Sequence, residues 1–70
     1  MNDMIDPNTV TLPKFRKGEI DQALLRQLEK QDPKDWTPIV LDGNRVSDGY
    51  QRVLIARHLG IPLIPFRRIA

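Results

Sequence analysis

The sequence predicts a small α+β domain in which a short mixed sheet packs against two helices, in the order β-α-β-β-α-β. One segment has the apolar period of an amphipathic helix, and a second apolar segment stops at a glycine as helices often do. The remaining apolar runs are short and contain prolines, which favours strands. An Asp-Gly pair at 42–43 separates two of these runs and is typical of a β-hairpin turn.

The first strand is predicted at residues 9–12, which have β-branched, alternating character. Pro13 ends this strand or places it at a sheet edge. Residues 1–8 are polar, and we expect them to form a flexible N-terminal tail. The domain organisation is therefore a tail over 1–8 and a single domain over 9–70.

The first helix is predicted to begin at Lys17 or Gly18, with Glu19 and Asp21 in the first turn, where the helix dipole favours acids. Asp32-Pro33 ends it, because the residue before proline avoids helical backbone. Its stripe has members at i, i+3, i+4, i+7 and i+8 with one polar interruption, namely Ile20, Ala23, Leu24, Gln27 and Leu28.

The second half is predicted to be a hairpin, a helix and a last strand. Residues 38–41 and 45–47 form the hairpin strands around the turn, and 61–66 are apolar and extended. The helix runs from about Tyr50 to Leu59 and stops at Gly60. Either Asp48 or Ser47 is expected to cap its start.

Composition bounds the chemistry of the chain. Seventy residues form one domain, which buries only about 60% of its unfolded surface, so pairing with itself or with a partner would add stability. The absence of cysteine removes disulfides, thiolate catalysis and cysteine-bound metals, and one histidine does not make a zinc site. No stretch approaches the roughly 20 apolar residues of a membrane span, and no signal peptide is evident. We therefore expect a cytoplasmic protein without a membrane partner or a bound metal.

Positive charge gathers in the C-terminal half, although the net charge of +2 only permits nucleic-acid contact without arguing for it. From Arg45 onward there are five arginines and one acid, Asp48. Arg45, Arg67 and Arg68 are candidate nucleic-acid contacts, while Arg57 and His58 are expected to be solvated. Trp36 is expected to cover the sheet within the core.

The start of the second helix is the candidate anion site. Gly49 lets the backbone approach a phosphate closely, and the N–H groups of Tyr50 and Gln51 would point at it. Arg52 could fork onto two phosphate oxygens, whereas Asp48 is expected to cap the helix, since its charge repels phosphate. The alternative interpretation is a capped helix start with a solvated arginine.

The second half resembles the ParB/sulfiredoxin-like superfamily, also called ParB-like nuclease domains. The similarity covers about 9–70 and is sharp over 38–65. The residues that match are Pro38-Ile39-Val40-Leu41, Asp42-Gly43-Asn44-Arg45, Asp48-Gly49-Tyr50-Gln51-Arg52, Ala56, Leu59-Gly60 and Ile61-Pro62.

The resemblance implies a small fold whose glycine turn and helix N-terminus hold a phosphate or nucleotide, CTP or ATP in known members. ParB proteins bind CTP and clamp DNA as dimers, and sulfiredoxins use ATP and a cysteine. The resemblance also makes Arg16, in the basic connector after the first predicted strand, a candidate phosphate contact beside Gly49, Tyr50, Gln51 and Arg52.

The chain departs from the family pattern in several places. Gln51 stands where many members have His or Arg, and Tyr50 stands where sulfiredoxins have their reactive cysteine, so sulfiredoxin chemistry is excluded. No helix-turn-helix segment follows residue 70, so reading of a specific DNA sequence is not expected, and the chain is short even for the core domain.

Three functions remain open. The first is a nucleotide- or phosphate-binding ParB-like module of a plasmid, phage or other mobile element, acting in DNA partition, transfer or regulation. The second is a non-catalytic interaction or inhibitor protein that keeps the fold without the ligand and works as a homodimer or on a larger protein. The third is a minimal nuclease, for which Asp42 and Asp48 offer too few converging acids. The residues favour a binding module over an enzyme and leave catalysis open.

Overall fold

The computed structural model describes residues 3–14 and 18–69. It is an α+β domain with a four-stranded mixed sheet and two helices, and the order β-α-β-β-α-β is confirmed. Two short 3₁₀ turns, Pro7–Thr9 and Pro33–Asp35, lie in the connections. The strands are β1 (Asp3–Ile5), β2 (Ile39–Asp42), β3 (Arg45–Asp48) and β4 (Ile64–Arg68), and the helices are α1 (Gln22–Glu29) and α2 (Tyr50–Leu59).

The sheet has the order β1-β4-β2-β3. Its central pair, β2 and β4, is parallel, while β1 pairs antiparallel with β4 and β3 antiparallel with β2. A parallel pair needs a long crossover between its strands, and here the chain returns through β3 and α2. The antiparallel pairing of β2 with β3 confirms the predicted hairpin. Helix α2 then provides the return path to β4.

The first strand lies earlier in the chain than the sequence predicted. Asp3, Met4 and Ile5 pair with Phe66, Pro65 and Ile64 of β4. Asp6 then caps the first 3₁₀ turn by accepting a 2.9 Å bond from the Asn8 amide. Residues 3–5 therefore belong to the sheet and not to the flexible tail predicted over 1–8, because they cover the edge of β4. A strand of three residues is too short to show an alternating pattern.

The predicted strand at 9–12 is reduced to one bridge beside β3. The Thr11 amide donates to the Asn44 carbonyl at 2.8 Å, and the Val46 amide donates to the Thr11 carbonyl at 2.8 Å. The next bond of a parallel ladder would need an N–H at residue 13, and Pro13 has none. This proline therefore explains why the pairing stops after a single bridge.

One hydrophobic core lies against one face of the sheet. Alternate strand residues such as Ile39 and Leu41 are fully buried there, as the two-residue period of a strand requires. Trp36 is 2% exposed, which confirms its predicted place in the core. The remaining members of the core are Val10, Leu25, Leu28, Val46, Val53, Ile55, Ala56, Ile64 and Phe66.

Helix α1 begins later than predicted. Its N-cap is Asp21, whose carboxylate accepts bonds from the amides of Ala23 at 3.0 Å and Leu24 at 3.2 Å. The predicted start at Lys17 or Gly18 is therefore wrong. Asp21 has the extended backbone and side-chain bonds of a cap, a role that aspartate favours.

Helix α2 has the predicted bounds, and Gly60 ends it with a left-handed backbone at φ +71°. Arg57 was expected to be solvated, and this is wrong. Its Nε donates to the Pro7 carbonyl and its Nη2 to the Val10 carbonyl, both at 2.8 Å, so the arginine ties residues 7–10 to α2. Among the described residues, no helix has the length and apolar character needed to cross a membrane.

We predict that Arg57→Met lowers the free energy of unfolding by about 2–3 kcal/mol, because two charge-assisted hydrogen bonds are lost while the aliphatic stem is kept. Urea denaturation followed by tryptophan fluorescence measures this. His58→Met is the matched control, since His58 is exposed on the same turn and should change stability by less than about 0.5 kcal/mol. Equal effects of the two substitutions would contradict the anchoring role of Arg57.

Candidate functional site

Strand β3 turns directly into α2 at Gly49. This glycine is the N-cap, with φ +88°, and among the described residues no side chain caps the helix. The predicted cap at Asp48 or Ser47 is wrong, because Asp48 is still part of β3 and the left-handed glycine makes the turn. A bulge lies just before the turn, where Val40 is opposite Asp48 and Leu41 is opposite Val46. Bulges are frequent next to functional sites, where they redirect side chains.

Arg52 folds back onto Gly49. Its Nη2 donates to the Pro38 carbonyl at 3.3 Å, and a Cβ built on Gly49 would lie only 2.6 Å from Nη2. Any other residue at position 49 would thus displace the guanidinium. The Arg52 Nε is buried and, within the described chain, has no hydrogen-bond partner. The structure therefore brings together two of the residues predicted to bind phosphate.

Two sources of positive charge meet at this turn, with one acid, Asp48, directly before Gly49 in the chain. The N-terminus of a helix has the equivalent of about half a positive charge, and the guanidinium of Arg52 lies beside it. Across residues 3–14 and 18–69, the only ion pair joins Lys34 to Asp32 at 3.9 Å, so Arg52 has no carboxylate within that distance. An anion placed at this turn would offset both positive charges.

Gln51 has a structural role that the sequence did not indicate. Its Oε1 accepts from the Asp21 amide at 2.9 Å, and its Nε2 donates to the Glu19 carbonyl at 2.8 Å. Nε2 also lies 3.3 Å from the Tyr50 hydroxyl. The amide side chain therefore pairs with the chain that leads into α1. These partners are 30 and 32 residues away in sequence, so no local signal could have revealed them.

The arginines predicted to contact nucleic acid do not form one patch. Arg45 lies opposite Asp42, and Arg67 lies opposite Val40 on the same outer face of the sheet. Arg68 is the next residue of β4, so its side chain points to the other face. There its guanidinium lies 5.0 Å over the Phe66 ring, and its Nε donates to the Gly43 carbonyl at 3.3 Å.

The other predicted residues add little to this site. Arg16 lies outside the described residues, so its predicted contact with phosphate stays a prediction. His58 is exposed near the end of α2, away from the Gly49 turn. In the part of the chain that the structure describes, no group of three His, Cys, Asp or Glu residues could hold a metal ion.

No family model, curated protein or solved structure matches this chain. The similarity to the ParB/sulfiredoxin-like superfamily accordingly rests on the residue pattern described above and stays a prediction. What the structure adds is the placement of Gly49 and Arg52 at the start of α2.

We predict that Gly49→Ala destabilises the protein more than Gly60→Ala does. Both glycines have positive φ, so each substitution has a backbone cost of about 1 kcal/mol or more. A Cβ at position 60 meets open space, whereas one at 49 meets the Arg52 guanidinium and lies 3.0 Å from the Ile39 side chain. Urea denaturation of both variants measures the difference, and equal costs would show that the close packing at Gly49 contributes nothing.

We also predict that Gln51→Met lowers the free energy of unfolding by about 1–2 kcal/mol, because two hydrogen bonds to the backbone are lost. Gln27→Met is the matched control, since Gln27 is an exposed glutamine of α1. Hydrogen exchange at the Asp21 amide should quicken in the Gln51 variant alone. Unchanged exchange there would argue against the pairing of Gln51 with the lead into α1.

Proposed function

We propose that the chain is a ParB-like module that binds the phosphate groups of a nucleotide at the N-terminus of α2. Gly49 allows close approach of the ligand, the backbone amides of Tyr50 and Gln51 would face its oxygens, and Arg52 supplies a positive charge. The observation that supports this most is the Arg52 guanidinium lying against Gly49 without a carboxylate partner in the described chain.

The nucleotide that we propose is CTP or ATP, in keeping with the residue pattern over 38–65. The setting that we propose is the cytoplasm, where such a module would act in DNA partition, transfer or regulation for a plasmid, phage or other mobile element. Arg67, opposite Val40 on the outer face of the sheet, is its best placed contact for DNA phosphates, whereas Arg45 on the same face lies beside the Asp42 carboxylate. Arg68 stacks on Phe66 and is the weaker candidate.

A second function is favoured by the contacts of two site residues. Arg52 already donates to the Pro38 carbonyl, and the Gln51 side chain pairs with Glu19 and Asp21. Side chains that are already bonded to the protein backbone are less available to a nucleotide. This arrangement therefore fits an interaction or inhibitor protein that binds no nucleotide. Its partner would be a larger protein or a second copy of the chain.

We predict that CTP, ATP or inorganic phosphate shifts the backbone NMR signals of residues 48–53, because the anion would contact the first turn of α2. Arg52→Gln should weaken this binding at least tenfold, since the neutral amide cannot fork onto the anion. Arg26→Gln is the matched control, because Arg26 is exposed on α1, and it should leave the affinity unchanged.

The absence of shifts over 48–53 at millimolar ligand in the wild-type chain would overturn the phosphate site and favour the interaction protein. Equal binding by the wild type and by a folded Arg52→Gln variant would remove Arg52 from the site. The dispersion of the amide spectrum reports whether each variant is folded. The wild-type titration decides the question even if the Arg52 variant unfolds.

A further inference from the structure

An open concavity lies at the other end of β3 from Gly49. It has a volume of about 350 Å³ and is lined by Thr11, Asp42, Asn44 and Arg45. It is wide open to solvent and its four lining residues are all exposed, so a ligand would be held there by its polar groups rather than by burial. Arg45 is four strand residues from Gly49, which places the concavity about 13 Å along the strand from the α2 turn. The two sites are therefore separate.

The backbone around the concavity is held by hydrogen bonds from both sides. The Thr11 amide donates to the Asn44 carbonyl, and the Val46 amide donates to the Thr11 carbonyl, both at 2.8 Å. The Asn44 side chain adds a third bond, from Nδ2 to the Thr9 carbonyl at 2.8 Å. The segment that was predicted to be a strand thus forms one wall, and the hairpin forms the other. Such a frame limits the reorganisation that binding would require.

The charged groups of the concavity have opposite signs and are not paired with each other. Asp42 and Arg45 are direct neighbours across the hairpin, yet no ion pair within 4.0 Å joins them. In the described part of the chain, neither of these side chains has a hydrogen-bond partner, and neither does the Thr11 hydroxyl. A carboxylate, a guanidinium and a hydroxyl therefore remain available at one opening.

We propose that this concavity binds a small zwitterion of the α-amino-acid type. Arg45 would fork onto the ligand carboxylate with two parallel N–H···O bonds. Asp42 would accept from the ligand ammonium group, and the Thr11 hydroxyl can bond either group. A phosphodiester fits less well, because the Asp42 carboxylate repels it. The role proposed here for Arg45 thus differs from the contact with nucleic acid.

Chemically blocked forms of one ligand test the proposal on the unaltered protein. L-alanine should shift the amide signals of residues 11 and 42–46. N-acetyl-alanine keeps only the carboxylate and alanine amide keeps only the ammonium group, so each should bind at least tenfold more weakly. A lack of shifts with tens of millimolar L-alanine would overturn the proposal, as would equal binding of the two blocked forms and L-alanine. Shifts caused by a DNA oligonucleotide in place of L-alanine would overturn it as well and would favour the nucleic-acid contact.

Isosteric variants then assign the two charges. Asp42→Asn should weaken L-alanine binding without weakening that of N-acetyl-alanine, because it also removes the repulsion of the ligand carboxylate, and Arg45→Gln should weaken both. Arg67→Gln is the matched control, since Arg67 shares the outer face but does not line the concavity, and it should change neither. An Asp42→Asn variant that binds L-alanine as the wild type does would overturn the role of the carboxylate. Arg52→Gln should leave L-alanine binding intact. The test of phosphate binding at the α2 turn and the test of zwitterion binding at the concavity therefore have separate outcomes.

Discussion

The parallel pairing of β2 with β4 is the constraint from which most of the architecture follows. Two parallel strands cannot be joined by a hairpin, so the chain has to return along the sheet before β4 begins. Helix α2 makes this return, and it is bounded at both ends by glycines with left-handed backbone, Gly49 and Gly60. The pairing therefore determines where the N-terminus of α2 lies, and with it the position of Arg52.

The sequence predicted the elements whose signals are local. The hairpin turn, the extent of α2 and its stop at Gly60 all depend on residues that lie within a few positions of one another. The pairing of Gly49 with Arg52 was also predictable, because three positions separate them across the start of one helix.

Other features depend on partners that are distant in sequence. Strand β1 exists because β4 offers it an edge, and nothing in Asp3–Ile5 alone indicates a strand. Arg57 reaches carbonyl groups 47 and 50 residues away, and Gln51 pairs with the chain before α1. Arginine and glutamine on a helix surface are ordinary in any sequence, so their hydrogen bonds to distant backbone groups could be identified only from the fold. Another long-range contact, the bridge between Thr11 and Arg45, places Thr11 beside the hairpin and forms the concavity at Asp42 and Arg45.

The pairing of β1 with β4 also bears on how the chain folds during synthesis. Residues 3–5 can find their native partners only when Ile64–Arg68 has left the ribosome, so more than 60 residues must emerge before the sheet is complete. Until then β2 lacks its parallel neighbour, and the apolar faces of Ile39 and Leu41 lack Phe66 and Ile64. Closing such a long loop has a larger entropic cost than forming short-range contacts. The domain should consequently fold late and in one cooperative step, with the α1 helix and the β2–β3 hairpin only transiently formed beforehand.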